Sequence, residues 1–289
     1  MAIKPIKVTE ARDIIRQLNR LNLEMADYDN LKTLIDRLIY GVPLLAITPH
    51  EETRFFRGCV YKEKPFETKL LSYPPSELAV NFQRCNPPGK SMFYCSSDPA
   101  AVFYELHVQP GDAVYLSKWS LTKKFLLNRI AAQDDGSLSS AVKEIISTYF
   151  ETKFSQPVHD TYSSQYKITS AISEKLSTGN VIGGTLPFGG LTYPSVAHPN
   201  RSENIAVQPH IVDECLRLDY VEELLVTAVD GYTISYDRKD FSSNFEDGKI
   251  NWAGSPMKWT LPPDSTLTMT AESDGWVARD ERGNIVIPG

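Results

Sequence analysis

The chain contains few cysteines, and none of them has the spacing of a zinc site or a redox pair. The four cysteines, at positions 59, 85, 95 and 215, form no Cys-x-x-Cys pair. Four thiols in 289 residues are too few for a disulfide-stabilised scaffold, and they indicate reduced thiols in a cytoplasmic protein. Carboxylates and histidines also form no cluster with ligand spacing, so we expect no metal site.

Long apolar runs and an excess of basic charge are lacking as well. No segment reaches 18 uncharged apolar residues, and no apolar stretch follows the lysines of the first seven residues, so we expect neither a transmembrane helix nor a signal peptide. The 30 Lys and Arg are outnumbered by 36 Asp and Glu, which gives a net charge of −6. A nucleic-acid protein usually has a basic domain or stripe. We therefore expect no membrane or nucleic-acid partner, whereas a small anionic ligand needs only two or three arginines.

The common signatures of nucleotide binding and hydrolysis are also absent. The sequence has no Gly-x-Gly-x-x-Gly after a strand, no Walker loop, no Gly-x-Ser-x-Gly and no His-Glu-x-x-His. The five histidines, at positions 50, 107, 159, 198 and 210, are scattered. A Ser/His/Asp or Cys/His site stays open as an alternative, because such sites are recognised by geometry rather than by sequence.

The hydrophobic pattern predicts an α+β fold, at a length that suits two domains or one large domain with additions. Two amphipathic helices come first, with Thr9 and Asp27 as candidate caps. The glycine-rich stretch 179–190 predicts a flexible loop, and the tail after residue 224 is β-rich. We expect helices at 9–23, 28–40, 100–107, 137–150, 160–176 and 211–217, and strands at 53–61, 91–95, 112–121, 205–208, 224–229, 233–236, 266–270 and 284–287.

One stretch, residues 84–105, combines features of a ligand-binding cleft. Arg84 lies in a Pro/Gly loop, Tyr94 lies in the following strand, and Glu105 lies in a short helix that Asp98 can cap. Helical spacing places Glu105 beside apolar side chains one turn earlier. A carboxylate in this position lies either at a solvated helix boundary or in a cleft, and the spacing alone leaves both open.

Short motifs follow one another along the chain: Phe56-Arg57, Arg84-Cys-Asn-Pro-Pro-Gly89, Phe93-Tyr94, Glu105, Tyr193-Pro-Ser195 and Asn204-Ile-Ala-Val207. Taken together, they resemble the RES-domain family, which is named for its Arg, Glu and Ser. The resemblance covers roughly residues 50–215. Each motif is weak alone, whereas their order and the Arg-to-Tyr-to-Glu spacing are fairly specific. The sequence departs from the family pattern at Gln83, where Gly is usual, and at Cys85, where Trp is usual.

The resemblance implies an ADP-ribosyltransferase-like α+β fold, with mixed β-sheets around an NAD-binding cleft and flanking helices. It divides the chain into an N-terminal helical segment (1–49), a RES-like catalytic domain (50–217) and a β-rich C-terminal extension (218–289) packed on that domain. Family members are NAD⁺-consuming enzymes, bacterial toxins or toxin-like, and small members usually pair with an antitoxin. A cognate antitoxin or immunity protein is therefore a candidate partner, and a homodimer is a default that no residue here indicates.

The same resemblance implies roles in binding and cleaving NAD⁺. A guanidinium can bind phosphate through two hydrogen bonds, and an aromatic ring can stack on the cationic nicotinamide or hold the ribose. A fixed carboxylate can stabilise positive charge on the ribose or activate water or phosphate. A serine hydroxyl can donate to the nicotinamide carboxamide or to a ribose hydroxyl. The implied catalytic residues are Glu105 and Ser195, and the implied NAD⁺-binding residues are Arg57, Arg84, Tyr94 and Asn204.

The resulting hypothesis is an NAD⁺-degrading enzyme, a bacterial toxin, that cleaves the nicotinamide–ribose bond as a glycohydrolase or a phosphorylase. A protein ADP-ribosyltransferase on the same scaffold is the alternative, since no motif identifies the acceptor. A catalytically inactive RES fold that acts as a binding module is the alternative from another class. At single positions, the alternative to a role in the site is a purely structural role. Arg57 would then form a salt bridge or a stacking contact, Tyr94 would be a core residue, and Ser195 would form a turn.

Overall fold

The computed structural model describes residues 6–130, 140–178, 186–197, 202–254, 268–272 and 275–279. In these residues, helices pack on a nine-stranded mixed sheet, which confirms the predicted α+β class. The helices are α1 (Val8–Arg20), α2 (Tyr28–Ile39), α3 (Pro99–Glu105), α4 (Ala141–Phe154), α5 (Lys167–Leu176) and α6 (Pro209–Cys215). The strands are β1 (Ala46–Ile47), β2 (Arg54–Val60), β3 (Phe93–Ser96), β4 (Ala113–Leu121), β5 (Leu126–Arg129), β6 (Phe188–Pro194), β7 (Glu203–Val207), β8 (Leu216–Asp230), β9 (Thr233–Ser242), β10 (Thr268–Glu272) and β11 (Gly275–Arg279).

The large sheet runs in the order β1-β5-β6-β7-β3-β2-β4-β8-β9, and its neighbours are antiparallel except for the parallel pair β5 and β6. Consecutive side chains of a strand point to opposite faces of a sheet. In β3, accordingly, Phe93 and Cys95 enter one apolar core while Tyr94 packs against another. Helices α1, α2, α4 and α5 contribute to the core on the Tyr94 face, and α3 packs on β4 and β8 in a smaller cluster.

The hydrogen-bonded ladder is interrupted between β2 and β3, in the middle of the sheet. All seven residues of β2 pair with β4, but β2 and β3 share a single pair in register, Phe56 with Ser96. The side chain of Arg57 bridges the interruption, because its Nη1 donates a hydrogen bond to the backbone O of Tyr94 at 2.9 Å. Side chains of both strands line a cleft at this point.

The N-terminal helices pack against later helices of the same chain. α1 contacts α4, α2 contacts α5, and all four share one apolar core. Asp27 caps α2 as predicted, since its Oδ1 accepts a hydrogen bond from the backbone N of Asn30 at 2.8 Å. The prediction of Thr9 as a cap is wrong: α1 begins at Val8, and Lys7 in the cap position provides no side-chain hydrogen bond.

The glycine-rich stretch 179–190 is not a loop throughout, because Phe188–Pro194 form β6. Gly190 lies so close to β7 that an added Cβ would be 1.9 Å from the backbone O of Ala206, so this strand position requires glycine. Residues 179–185 lie outside the described residues.

Other differences concern the limits of elements. The segment 160–176, expected to be one helix, is a 3₁₀ segment at Asp160–Tyr166 followed by α5. The short strand β5 was not indicated by the pattern. The strand expected at 284–287 lies outside the described residues.

The sheet continues through residue 217, where the sequence analysis places the end of the catalytic domain. Residue 217 is the second residue of β8, which pairs with β4 on one side and with β9 on the other. Strands β8 and β9 therefore complete the large sheet. β10 and β11 pair with each other as a separate two-stranded sheet.

Gly58 in β2 allows α3 to pack tightly on the sheet, and a substitution tests this. A Cβ at this position would lie 2.5 Å from Cγ1 of Val102 and 2.7 Å from Cδ1 of Leu106. We expect Gly58→Ala to lower the free energy of unfolding by about 1–3 kcal/mol, the usual cost of overpacking. Denaturant unfolding measures the change, and Val60→Thr at the exposed end of the same strand, the control, should change it by less than about 0.5 kcal/mol. A Gly58→Ala protein of unchanged stability would contradict this packing.

Candidate active site

A cleft of about 760 Å³ lies where the ladder is interrupted. Its walls come from β2, β3 and α3, from the ends of β6 and β7, from the segment after α4, and from the loop of residues 82–90, here called the Arg84 loop. Five of the six predicted site residues line the cleft, and Ser195 contacts one of them, Glu105. The five are Arg57, Arg84, Tyr94, Glu105 and Asn204.

Glu105, the last residue of α3, holds its carboxylate against the ends of β6 and β7. Its Oε1 accepts hydrogen bonds from Oγ of Ser195 at 2.5 Å and from Nδ2 of Asn204 at 2.7 Å. Ser195 and Asn204 are buried, whereas Glu105 is exposed and lines the cleft. Within the described residues Oε2 has no hydrogen-bond partner, so one oxygen is fixed and the other is available to a ligand.

The start of α3 is tied to β3 and β7, which orients the carboxylate at its end. Asp98 caps the helix as predicted, because its Oδ1 accepts a hydrogen bond from the backbone N of Ala100 at 2.9 Å. Oγ of Ser96 accepts a hydrogen bond from the backbone N of Asp98 at 3.1 Å and donates to the backbone O of Glu203 at 3.0 Å. Since Glu203 precedes Asn204, one strand holds both the helix start and the amide that contacts the carboxylate.

Arg57 is half-buried, and backbone carbonyls hold its guanidinium. Nε donates to the O of Ser72 at 2.9 Å and Nη1 donates to the O of Tyr94 at 2.9 Å. The guanidinium also lies 5.5 Å from the ring centre of Phe93, the stacking contact that was one ordinary alternative. Among the described residues it forms no salt bridge, so no carboxylate compensates its charge.

Arg84 is held in the same way. Its Nη1 donates to the backbone O of Phe154 at 2.5 Å and to that of Gln156 at 3.2 Å, and its guanidinium lies 5.1 Å from the ring centre of Tyr166. Phe154 ends α4, and the carbonyl end of a helix favours a cation. In the part of the chain that the structure describes, Arg84 has no acidic partner either. Two uncompensated guanidiniums in one cleft suit a pyrophosphate or another ligand with two anionic groups.

Tyr94 connects β3 to the Arg84 loop. Its hydroxyl accepts a hydrogen bond from the backbone N of Cys85 at 2.9 Å and donates to Oδ1 of Asn86 at 2.6 Å. Asn86 in turn donates from Nδ2 to the backbone O of Lys90 at 2.8 Å, which closes the loop. Burial raises the pKa of Tyr94 well above its usual range, so the hydroxyl stays protonated in these contacts. The hydroxyl is thus committed to the loop, while Tyr94 still lines the cleft.

The thiols near the cleft are poor nucleophiles. Burial raises the pKa of Cys85 to about 12, and it also raises the pKa of Cys95, which lines the cleft. A thiol must ionise before it attacks. The burial of Cys85 and Cys95 therefore does not support the Cys/His alternative at this cleft.

Sequence reasoning missed the residues that support the site. Asn86 lies inside the loop motif, two residues after Arg84, so the motif could have identified it as a supporting residue. Ser96 and Tyr166 carry no motif, and their contacts with Glu203 and Arg84 exist only in the folded chain.

A family model for the RES domain matches residues 57–226, more than half of the chain. The chain belongs to the RES-domain family. The matched region contains all six predicted site residues and ends within β8. This family is associated with enzymes that act on NAD and with toxin–antitoxin systems. Comparison of the chain with curated proteins and with solved structures gave no match.

The residues that the structure describes contain no group of three or more His, Cys, Asp or Glu side chains placed to hold a metal ion. In the same residues, no helix has the length and apolar character needed to cross a membrane. The cleft is lined by the guanidiniums of Arg57 and Arg84, the carboxylate of Glu105 and the imidazole of His107, and its other lining residues include aromatic rings and amide side chains, those of Phe56, Tyr94, Tyr166, Tyr193, Gln83 and Asn204.

All four cysteines are buried, which predicts slow reaction of the native protein with a thiol reagent. At about pH 8 a thiol with a pKa of about 12 is almost entirely protonated, as we expect for Cys85. Absorbance with DTNB (dithionitrobenzoate) should show four accessible thiols only after unfolding in guanidinium chloride. Rapid labelling of one thiol in the native protein would contradict this account and would identify a reactive cysteine.

Proposed function

We propose that the protein degrades NAD⁺ by cleaving the bond between nicotinamide and ribose. The observation that carries this proposal is the carboxylate of Glu105, fixed through Oε1 by Ser195 and Asn204 while Oε2 is left for a ligand of the cleft. The RES-domain match supports NAD as that ligand. The interrupted sheet around the cleft is consistent with the ADP-ribosyltransferase-like arrangement that the resemblance implies.

The chemistry of NAD⁺ matches that of the cleft. Its pyrophosphate is anionic and suits Arg57 and Arg84, because a guanidinium held by carbonyls keeps its full charge and has further N–H donors. Its nicotinamide is cationic and suits the ring of Tyr94. Since the Tyr94 hydroxyl is committed to the loop, we propose stacking rather than a ribose contact for this residue. A volume of about 760 Å³ is in the usual range for a cofactor site.

The proposed step breaks the C–N bond at the ribose carbon that carries nicotinamide. The bonding electron pair leaves with nicotinamide, which becomes neutral, and positive charge develops on the ribose. The carboxylate of Glu105 stabilises this charge, and its existing hydrogen bonds hold it in place without reorganisation. In hydrolysis, water forms the new C–O bond and gives a proton to Glu105 as general base. The products are nicotinamide and ADP-ribose.

We propose that Ser195 and Asn204 act first on Glu105. Because both side chains donate to the same oxygen, Oε1, they orient the carboxylate and direct Oε2 toward the ligand. When NAD⁺ is bound, we propose that Ser195 donates a hydrogen bond to the nicotinamide carboxamide or to a ribose hydroxyl. Asn204 then contacts NAD⁺ as well. Loss of either side chain should therefore affect catalysis through the orientation of Glu105 as well.

The acceptor distinguishes the candidate functions. Attack by water gives ADP-ribose, attack by phosphate gives ADP-ribose phosphate, and attack by a protein side chain gives ADP-ribosylated protein. An inactive binding module would bind NAD⁺ without releasing nicotinamide. We propose a toxin as the biological context, with an antitoxin or immunity protein that closes the cleft as its partner.

Glu105→Gln tests the proposed reaction, because it keeps the size of the side chain and removes its charge. We expect nicotinamide release to fall by about 100-fold or more. The purified protein is incubated with NAD⁺, with and without phosphate, and nicotinamide, free ADP-ribose and labelled protein are followed. The control, Glu77→Gln, changes an exposed carboxylate outside the cleft and should keep full activity.

Two results of this experiment would contradict the proposal. Equal NAD⁺ consumption by the wild type and by Glu105→Gln would remove Glu105 from catalysis. A wild type that binds NAD⁺ and releases no nicotinamide would favour the binding module.

Arg84→Ala tests the role of the guanidinium in binding. We expect the KM for NAD⁺ to rise about tenfold or more, with a smaller change in kcat, because the pyrophosphate is bound in both the ground state and the transition state. Steady-state kinetics of nicotinamide release measure both constants. Arg12→Ala removes an exposed arginine of α1 and is the matched control. An unchanged KM in Arg84→Ala would exclude Arg84 from phosphate binding.

A further inference from the structure

We infer that the N-terminal helix α2 contributes to the NAD⁺ site, because Tyr28 of α2 and Glu174 of α5 position the Arg84 loop. Tyr28 precedes the region that matches the RES-domain family, which begins at residue 57. The inference rests on the function proposed above. It concerns positioning residues, which act on NAD⁺ only through Arg84 and Tyr94.

One end of the Arg84 loop is held at Phe82. The ring centres of Tyr28 and Phe82 lie 5.1 Å apart, and Nζ of Lys167 in α5 lies 5.6 Å from the ring centre of Phe82. Lys167 also donates to the backbone O of Ala26 at 2.9 Å, just before α2. Side chains from α2 and α5 thus hold the chain two residues before Arg84.

The other end of the loop is held at Lys90 by Glu174. Nζ of Lys90 lies 2.7 Å from Oε1 of Glu174, and Oε2 of the same carboxylate accepts a hydrogen bond from the hydroxyl of Tyr28 at 3.1 Å. That hydroxyl also lies 3.0 Å from Oγ of Ser170. The Glu174 side chain is 17% exposed, so this carboxylate is shielded more than those of ordinary surface pairs. One carboxylate therefore joins α2, α5 and the loop.

The contacts between the two ends bear directly on the site. Asn86 binds the backbone O of Lys90, and the hydroxyl of Tyr94 binds both Cys85 and Asn86. A shift of Lys90 is therefore transmitted through Asn86 to Tyr94. The carbonyls of Phe154 and Gln156, at and just after the end of α4, hold only the far end of the Arg84 side chain. The loop backbone must therefore be in place for the guanidinium to reach both these carbonyls and a ligand.

The interface of α2 and α5 also offers a matched control. Nζ of Lys175 lies 2.6 Å from Oδ2 of Asp36, so this pair joins the same two helices next to Glu174. In the described residues neither member forms a hydrogen bond or an ion pair with the Arg84 loop. Breaking this pair weakens the helix interface without releasing the loop.

We expect Glu174→Gln to raise the KM for NAD⁺ about fivefold or more and to change kcat by less than about twofold, since Glu105 is untouched. Lys90→Ala breaks the same ion pair, and because Lys90 is exposed, this substitution should not disturb folding. We expect it to raise the KM for NAD⁺ about two- to threefold. Asp36→Asn should leave both constants within about twofold. In an Arg84→Ala background, Glu174→Gln should cause a smaller rise in KM than in the wild type, because the part of its effect that acts through Arg84 is already lost.

Hydrogen–deuterium exchange of the amides of residues 83–90 gives a readout that does not depend on activity. Exchange should become faster in Glu174→Gln and in Lys90→Ala, because the loop loses its attachment at Lys90, and should stay unchanged in Asp36→Asn. Thermal unfolding of each variant shows whether the whole protein has been destabilised.

Each outcome decides the inference. An unchanged KM or unchanged loop exchange in both Glu174→Gln and Lys90→Ala overturns it, and so does an equal rise in KM in Asp36→Asn. If the wild type releases no nicotinamide, the proposed function fails, and the exchange data alone decide whether Glu174 positions the loop.

Discussion

The architecture of the site depends on the interruption of the sheet between β2 and β3. Backbone groups of a central strand normally bond to a neighbouring strand, yet here the Arg57 guanidinium donates to the carbonyl of Tyr94 in place of one. The gap brings strand side chains to the wall of a cleft, and strands hold such groups more precisely than loops do. The same guanidinium closes the backbone gap and supplies positive charge, so one group performs the structural role and the binding role that we propose.

Two short elements of the site, helix α3 and the Arg84 loop, depend on contacts with the rest of the protein for their position. Helix α3 has seven residues, too few to be stable alone, and its cap, its link to β7 and the absence of a side chain at Gly58 fix its place on the sheet. The Arg84 loop contains no helix or strand. A hydrogen bond from the backbone N of Gln83 to the backbone O of Asn86 at 2.9 Å closes a turn within it, and the loop is held at its two ends by α2 and α5. The carboxylate and the guanidinium that we propose to act on one ligand are thus oriented by separate supports, which meet in Tyr94 and the strands beside it.

The sequence indicated the local parts of this site through capping and helical spacing, and the order of the family motifs indicated distant members such as Ser195 and Asn204, but nothing in the sequence indicated the contacts that support them. Asp98 and Glu105 are close along the chain, so capping preference and hydrophobic spacing predicted the short capped helix, while the family resemblance assigned Glu105 to the cleft. Glu174 and Lys90 are 84 residues apart, and no pattern in the sequence indicates that they meet. The high glycine content around Gly190 predicts a loop, whereas the close approach of β7 is what requires glycine at this position. The interruption of the sheet was also beyond prediction, since strand patterns do not specify how many residues of two neighbours pair.

The charge of the chain is consistent with the ligand we propose. A net charge of −6 gives the chain no overall positive charge to attract anions, so we propose that the cleft binds them through individual arginines. A carboxylate partner would orient each guanidinium but would also neutralise it, and a pyrophosphate would then have to compete with that carboxylate. Carbonyl oxygens orient Arg57 and Arg84 and leave their charge intact. Glu105 repels anions and attracts the cationic end of the ligand, so the two kinds of charge in this cleft favour one orientation of NAD⁺, with nicotinamide at the carboxylate.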